Sequence, residues 1–171
     1  MDIVDCILAD HDRQRRWFAA LDEARDDLES AGKIFNRPRD HLEAHAMAEE
    51  KYFYPTLLQL GKGALDSDSA DETTEDAIDD HNKIANAADA ALNEEVGSDA
   101  WWKCVDKANY QNSAHLSEEE RQGLTDFRRR VPLEKRIALG IKYLAFEADH
   151  VTNVEREEKD PDAYIEENEA A

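Results

Sequence analysis

The sequence predicts an all-α fold: an antiparallel, up-down-up-down four-helix bundle with an additional C-terminal fifth helix. Apolar residues recur at spacings of three and four along almost the whole chain, which is the periodicity of amphipathic helices. Alternating β-branched runs are absent, and only 6 glycines and 4 prolines interrupt the 171 residues. Helices of similar length joined by short or modest loops are typical of a bundle.

The first two predicted helices form a hairpin. The first begins at Asp2, a suitable N-cap, and is expected to end at Gly32. The second begins near Pro38, a residue that favours the first turn of a helix, and ends before Gly61. Pro55 lies inside this second helix and lacks an amide donor, so we expect a kink there.

A second predicted hairpin follows an acidic loop at residues 62–72. Its first helix covers about residues 74–96, and Gly97 is expected to end it. Ser98 is the expected N-cap of a fourth helix at about residues 99–129. The two hairpins together account for the four members of the bundle.

A fifth helix is predicted at residues 133–158, after the break made by Val131 and Pro132. The side chains expected to face the bundle are Ile137, Ile141, Leu144, Ala148 and Val151. From residue 159 the chain is acidic and is expected to form a flexible tail. These boundaries divide the chain into a bundle at residues 1–130, a packed fifth helix at 131–158 and the tail at 159–171.

The chain is strongly acidic, with 41 Asp and Glu against 21 Lys and Arg and a formal net charge of −20. Such a charge repels phosphate groups and anionic lipid, which disfavours nucleic-acid and membrane partners. No stretch approaches the roughly 18 apolar residues of a membrane span, and the N-terminus lacks the basic flank of a signal peptide. We therefore expect a cytoplasmic protein with small-molecule partners. The sequence does not fix the oligomeric state, and a monomer is the default expectation.

The histidines follow a pattern that occurs twice along the chain. In each half, a His on one helix is followed on the next helix by a His and a Glu four residues apart, at an offset of 70 positions. A duplicated hairpin with a pseudo-two-fold axis would bring these side chains to one level of the bundle. The two sets are His11, His45 and Glu49, and His81, His115 and Glu119.

These six side chains are candidate metal ligands. A His and a Glu at i and i+4 lie on the same helix face, one turn apart, as chelation requires. A single inward histidine is more often a hydrogen-bonded core residue, but burial of several carboxylates on apolar stripes is strongly unfavourable without a cation. Cys6 and Cys104 resemble neither a disulfide framework nor a zinc knuckle, so nitrogen and oxygen ligands are expected. His41 and His150 lack this support and are interpreted as structural or surface residues.

Together these residues resemble the hemerythrin-like (HHE cation-binding) domains over about residues 3–130. The resemblance implies a four-helix bundle with two non-haem iron ions joined by an oxo or hydroxo bridge, the four repeated histidines as ligands, and Glu49 and Glu119 as bridging ligands. Ferritin-like di-iron bundles differ, because they use Glu-x-x-His at i and i+3. The motifs that carry the resemblance are Asp10-His11, Asp80-His81, His45-x-x-x-Glu49-Glu50 followed by Tyr52-Phe53-Tyr54-Pro55, and His115-x-x-x-Glu119.

Two departures from the family pattern bear on reactivity. Oxygen-carrying hemerythrins have a second histidine one turn after His81, where this chain has Ala85, so one iron loses a nitrogen ligand. Tyr54 stands where a phenylalanine usually precedes the proline, and the same substitutions resemble the mycobacterial hemerythrin-like branch. We hypothesise that a tyrosine, Tyr54 first and Tyr52 second, supplies a phenolate. An ideal helical wheel favours Tyr52, but distortion before Pro55 weakens that geometry.

The resemblance and the expected coordination predict reactions with small oxidants. Ferrous ions with an open position react with hydrogen peroxide, nitric oxide or dioxygen, while the helices exclude larger substrates. A nitrogen-poor pair favours the ferric state, so oxidoreductase chemistry on peroxide or nitric oxide is expected ahead of reversible dioxygen binding. No catalytic residue is expected beyond the metal site. A di-iron oxygen or redox sensor with a regulatory fifth helix, and an iron storage or handling protein, remain alternatives.

Overall fold

A computed structural model describes residues 1–64, 69–150 and 158–169 of the chain. Within these residues every regular element is a helix, which confirms the all-α fold. In chain order the helices are α1 (Ile3–Glu23), α2 (Leu28–Tyr52), α3 (Tyr54–Leu60), α4 (Ala70–Ala91), α5 (Asp99–Arg121), α6 (Gly123–Arg130), α7 (Leu133–His150) and α8 (Pro161–Glu169).

Four helical members form the bundle: α1, α2 continued by α3, α4, and α5 continued by α6. Helix α4 packs most extensively on α5, and contacts of α1 with α2 and α5 and of α2 with α4 complete the interior. Helix α7 contacts α1 and α2, and α8 contacts α3 and α4. None of the helices in the described part of the chain combines the length and the apolar character needed to cross a bilayer.

The first hairpin turns earlier than the sequence predicts. Asp2 caps α1, as predicted. However, α1 ends at Glu23 rather than at Gly32, because Asp27 caps a new helix a few residues later. Gly32 and Pro38 therefore both lie inside α2, and the boundaries predicted at these two residues are wrong.

Pro55 interrupts the second bundle member, as predicted. The regular helix stops before Phe53, and α3 begins with Pro55 in its first turn. A matching break occurs at Gln122, between α5 and α6, where the sequence predicts one continuous helix. Gly123 follows this break and lies against the Phe53 ring, where an added Cβ would come within 3.4 Å of Cζ. The two halves of the repeat therefore share a helix break as well as their ligand spacing.

The second hairpin is shifted by about one turn from its prediction. Ser69 caps α4, which begins before residue 74 and ends before residue 96. Gly97 has a φ of +83°, a left-handed conformation that glycine adopts at little cost, and it ends the connecting loop. Ser98 caps α5, as predicted.

Helix α7 turns a different face to the bundle from the one predicted. Its approach depends on Gly140, because a Cβ at this position would lie 2.9 Å from the backbone nitrogen of Ile3. The face that carries the glycine is therefore the buried one, and the prediction is wrong. The buried residues are Leu139, Gly140, Tyr143, Phe146 and Glu147. The residues predicted to be buried but found exposed are Ile137, Ile141, Leu144 and Ala148; Val151 lies outside the described residues.

The C-terminal segment forms the helix α8, where the sequence predicts a flexible tail from residue 159. Tyr164 is buried in the apolar core, and its hydroxyl donates a hydrogen bond to the backbone carbonyl of Glu50. Lys159 forms an ion pair with the side chain of the same glutamate. One aromatic anchor and one ion pair thus attach a segment whose acidic composition indicated disorder.

The apolar core consists of two clusters at opposite ends of the bundle. One contains Ile3, Ile7 and Phe53, and the other contains Phe18 and Trp101, each with further apolar neighbours. Along each bundle member the polar residues of the repeat lie between these two clusters. Cys6 belongs to the first cluster and Cys104 packs on the second, and both are free thiols.

Candidate metal centre

All six predicted ligands meet in the polar layer between the two apolar clusters. Helix α1 carries His11 and α4 carries His81. The two His-Glu pairs lie on α2 and α5. None is more than 7% exposed. The relative exposures are 0% for His11, 3% for His45, 0% for Glu49, 7% for His81, 4% for His115 and 3% for Glu119.

One group of side chains that could hold a cation consists of His11, His45 and Glu49. His45 Nε2 lies 3.1 Å from Glu49 Oε1, and His11 Nε2 lies 3.9 Å from the same oxygen. Glu119 approaches from α5, with its Oε2 3.1 Å from His11 Nε2. Two imidazole nitrogens and two carboxylates therefore converge from three helices.

The second group consists of His81, His115 and the same Glu49. His81 Nε2 lies 3.4 Å from Glu49 Oε2 and 3.2 Å from His115 Nε2. Because Glu49 presents one oxygen to each group, its carboxylate lies between two histidine pairs. This is the arrangement of a bridging ligand in a two-metal site.

Several atoms that face the centre are buried without a hydrogen-bond partner. They belong to four of the six candidate ligands: His11 Nε2, His45 Nε2, both carboxylate oxygens of Glu49, and Glu119 Oε2. Buried polar atoms are normally paired, and unpaired ones destabilise a fold. A metal ion bound among these nitrogen and oxygen atoms would satisfy them, so the residues fit a cation site.

The charges of the centre also suit a cation. Burial lowers the pKa of an imidazole, but at His81 the carboxylates of Glu49 and Glu50 outweigh it and raise the pKa to about 10. At His115 burial and the neighbouring His81 together lower the pKa well below its usual value. Burial raises the pKa of a carboxyl, yet the neighbouring His11 lowers the pKa of Glu119. A bound metal ion would replace the proton on His81 Nε2, and the ionised carboxylates could bind it without first losing a proton.

Two glutamates contact the single histidines at Nδ1, the ring nitrogen that faces away from the centre. His11 Nδ1 donates a hydrogen bond to Glu120 Oε1, and His81 Nδ1 donates one to Glu50 Oε1, both at 2.9 Å. A carboxylate can only accept, so the Nδ1–H tautomer leaves each Nε2 to face the centre. Sequence reasoning did not assign these roles, although the Glu-Glu doublets repeat at the offset of 70 positions.

Each of these glutamates also contacts a cation. Arg15 donates to Glu120 at 2.8 Å, and Lys159 forms an ion pair with Glu50. The position 70 residues after Arg15 is Ala85, which has no charge to offer. Glu50 therefore pairs with a lysine from a segment outside the bundle, whereas Glu120 pairs with an arginine of α1.

Tyr54 reaches the centre and Tyr52 does not. The Tyr54 hydroxyl donates a hydrogen bond of 2.5 Å to Glu119 Oε1, and its ring is fully buried. Tyr52 is partly buried and its ring packs edge-on against Phe146 of α7. The helix break at Phe53 explains the difference. In an unbroken helix Tyr54 would point away from the centre, and the break rotates it towards the centre.

Ala85 lines a pocket beside the centre, between α2 and α4. His45, His81 and His115 line the same pocket. Ala85 adds only a methyl group here, so the space beside three candidate ligands stays open.

A second buried polar group adjoins the ligands on the side of α7. His41 Nε2 lies 3.5 Å from Asp10 Oδ1 and 3.8 Å from Glu147 Oε1. Arg13 supplies positive charge here, with its Nη1 2.6 Å from His41 Nε2 and 3.0 Å from Asp10 Oδ1. Burial and the nearby Asp10 carboxylate together raise the pKa of Glu147 to about 8.

Tyr143 connects this polar group to the ligands. Its hydroxyl lies 2.6 Å from His45 Nδ1 and donates a hydrogen bond of 3.1 Å to Asp10 Oδ2. Sequence reasoning missed Tyr143, because α7 has no counterpart in the repeat. His150, further along the same helix, donates to the carbonyl of Phe146 at 2.8 Å and lies apart from the ligands.

One comparison with known proteins gives a match. The family model described as hemerythrin HHE cation binding domain matches residues 2–127, which include all six candidate ligands and Tyr54. No curated protein and no solved structure matches the chain.

Proposed function

The chain belongs to the hemerythrin HHE cation-binding family, and from this membership we propose that its buried centre binds two iron ions and reacts with small oxidants, with hydrogen peroxide and nitric oxide preferred over dioxygen. The observation that carries the proposal is the pair of ligand groups that share Glu49, together with the buried ligand atoms that lack a hydrogen-bond partner. Bound iron would supply the redox chemistry.

Each ligand has a distinct role in this proposal. His11 and His45 would hold one ion, and His81 and His115 would hold the other. Glu49 and Glu119 would supply the bridging carboxylates. Glu50 and Glu120 orient His81 and His11 through their Nδ1 atoms, which keeps the Nε2 lone pairs directed at the ions.

Two features support peroxide or nitric oxide over reversible dioxygen binding. Ala85 replaces a nitrogen ligand, which leaves an oxygen-rich set that favours the ferric state. The Tyr54 hydroxyl lies 2.5 Å from Glu119, so it can ligate as a phenolate or donate a proton at the centre. Burial and the Glu119 carboxylate raise the pKa of Tyr54 well above its usual value, so without a cation the phenol keeps its proton.

The test begins with purified protein reconstituted with ferrous iron without oxygen. We expect about two irons per chain and, after oxidation, an absorption spectrum typical of a bridged ferric pair. Peroxide consumption and reaction with nitric oxide are then measured beside a His11→Ala/His81→Ala variant, which lacks a ligand in each group. One zinc ion or no metal would contradict the two-iron centre. Reversible dioxygen binding without reaction with peroxide or nitric oxide would contradict the ranking.

A redox sensor is a second candidate function, because α7 contacts the centre and also exposes an apolar stripe. Tyr143 contacts His45 on the inner face, while Ile141 is 66% exposed on the outer face. A change at the centre could thereby alter a surface on which another protein binds. Redox-dependent protection of α7 from hydrogen exchange would favour this function, and equal protection in both oxidation states would argue against it.

A further inference from the structure

We propose that Tyr143 is a positioning residue for the metal ligand His45, so that α7, which lies beyond the residues matched by the family, is a working part of the metal centre. The inference rests on the metal-binding part of the proposed function. It does not depend on which oxidant the iron pair meets.

The hydrogen bonds around Tyr143 have a single consistent direction. The Asp10 carboxylate can only accept, so Tyr143 donates its proton to Asp10 Oδ2 at 3.1 Å. The phenol oxygen is then free to accept from His45 Nδ1–H at 2.6 Å. With the proton on Nδ1, His45 Nε2 carries a lone pair and faces Glu49 Oε1 at 3.1 Å. Tyr143 thus selects both the tautomer and the ring orientation that metal binding needs.

This support differs in kind from that of the single histidines. His11 and His81 donate directly to carboxylates, which increase the basicity of an imidazole ligand. His45 donates to a neutral phenol, and the carboxylate of Asp10 lies one hydrogen bond further away. The two histidines of the first ligand group are therefore unequal donors, although the sequence repeat suggests equivalent halves.

Residues of the second hairpin confirm that the arrangement is local to α7. Asp80 is the repeat counterpart of Asp10, but it forms an ion pair with Lys83 at 2.9 Å, and it is only partly buried. Helix α8 packs on α3 and α4, but its Tyr164 donates to the backbone carbonyl of Glu50 and not to a candidate ligand. In the described part of the chain, a tyrosine that joins an aspartate to a candidate ligand is therefore found in the first half of the repeat and not in the second.

A close approach of the α7 backbone to α1 brings Tyr143 to His45. Gly140 lies about one turn before Tyr143, and any side chain at this position would meet the backbone at Ile3 and Asp2. The close approach leaves Tyr143 fully buried. Burial and the carboxylates of Glu49 and Asp10 raise its pKa well above its usual value, so it remains a phenol.

The experiment compares the wild-type chain with Tyr143→Phe, which removes one oxygen atom and keeps the ring. Tyr110→Phe, an exposed tyrosine on α5, is the matched control. Each protein is titrated without oxygen with ferrous iron and, separately, with cobalt(II), whose absorption bands report its ligands. We expect Tyr143→Phe to weaken the binding of one of the two ions by about 10-fold or more and to shift the cobalt bands. Tyr110→Phe should match the wild-type protein in both.

Gly140→Ala provides a second variant, because it pushes α7 outward while the hydroxyl remains. We expect a smaller loss of affinity in the same direction, with circular dichroism of the metal-free proteins as a check of folding. Wild-type affinity and wild-type cobalt bands in both variants would overturn the positioning role and leave the two-iron proposal intact. A wild-type chain that binds no pair of cations would overturn both.

Discussion

Glu50 and Glu120, one on each helical hairpin, each accept a hydrogen bond from a histidine of the opposite hairpin. Glu120 accepts from His11 of the first hairpin, and Glu50 accepts from His81 of the second, both at 2.9 Å. The two halves of the repeat are thus joined through the ligand layer as well as through the apolar clusters on either side of it.

We predict that Glu50→Gln and Glu120→Gln each weaken metal binding by about 10-fold, because a neutral amide oxygen is a poorer partner for the ligand imidazole than a carboxylate. Competition with a coloured chelator measures the affinity. Glu75→Gln, an exposed position on α4, is the matched control. Equal affinities for all three variants would mean that these glutamates do not support the ligands.

Tyr54→Phe is expected to change the visible spectrum of the ferric protein, because a phenolate ligand gives a charge-transfer band that phenylalanine cannot give. Tyr52→Phe provides a control two residues away, since the Tyr52 ring packs on Phe146 rather than at the centre. A Tyr54→Phe spectrum identical to that of the wild-type protein would rule out phenolate ligation.

Metal removal should lower stability, because it leaves the buried oxygens of Glu49 and the imidazole nitrogens without partners. At a free metal concentration of about 100 times Kd, each bound ion contributes about 2.7 kcal/mol, which corresponds to a rise in Tm of about 5 to 10 °C per ion. Thermal unfolding with metal and with chelator measures the difference.

Glu49 contributes to both ligand groups, so Glu49→Gln should abolish most of this difference. Glu29→Gln, an exposed position on the same helix, should preserve it. A full metal-dependent rise in Tm for Glu49→Gln would show that this carboxylate is not shared between two ions.

The contribution of Glu147 to stability should fall as the pH rises. Its pKa is raised to about 8 in the folded chain, mainly by burial, against about 4.5 when exposed. The folded state therefore binds more protons, and the contribution of this group is full below pH 4.5 and is lost towards pH 8. The ionisation of a single carboxyl of this kind lowers the free energy of unfolding by at most about 1.4 kcal/mol per pH unit.

Glu147→Gln removes this titration, so its stability relative to the wild-type protein should increase between pH 5 and pH 8. Chemical unfolding at several pH values provides the measurement. Glu134→Gln, an exposed position on the same helix, is the control. A difference between Glu147→Gln and the wild-type protein that stays constant with pH would contradict the raised pKa.

The repeat in the sequence was sufficient to identify the six candidate ligands. Their spacing at i and i+4 and their offset of 70 positions depend only on helix geometry and duplication, and the structure brings all six side chains together. Pro55 also acted as predicted, because a missing amide donor interrupts a helix in most contexts. The consequence of that break for Tyr54 required the three-dimensional structure.

The errors occur where packing decides between two local signals. Gly32 is a reasonable helix end, but the cap at Asp27 starts α2 before it. Helix α7 has two apolar stripes, and only the close approach at Gly140 selects the one that carries Tyr143. Helix α7 and Lys159 have no counterparts in the repeat. Their contacts with His45 and Glu50 therefore could not be predicted from the periodicity of the sequence.

The burial of the ligands has a kinetic consequence. No candidate ligand is more than 7% exposed, so local separation of the helices is expected to limit how fast an ion reaches or leaves the centre. The lifetime of a bound ion then depends on how often the bundle opens locally, and not on affinity alone. A chelator in large excess would extract the ions at a rate that no longer increases with its concentration. Contacts that slow the local opening would slow the exchange of the ions.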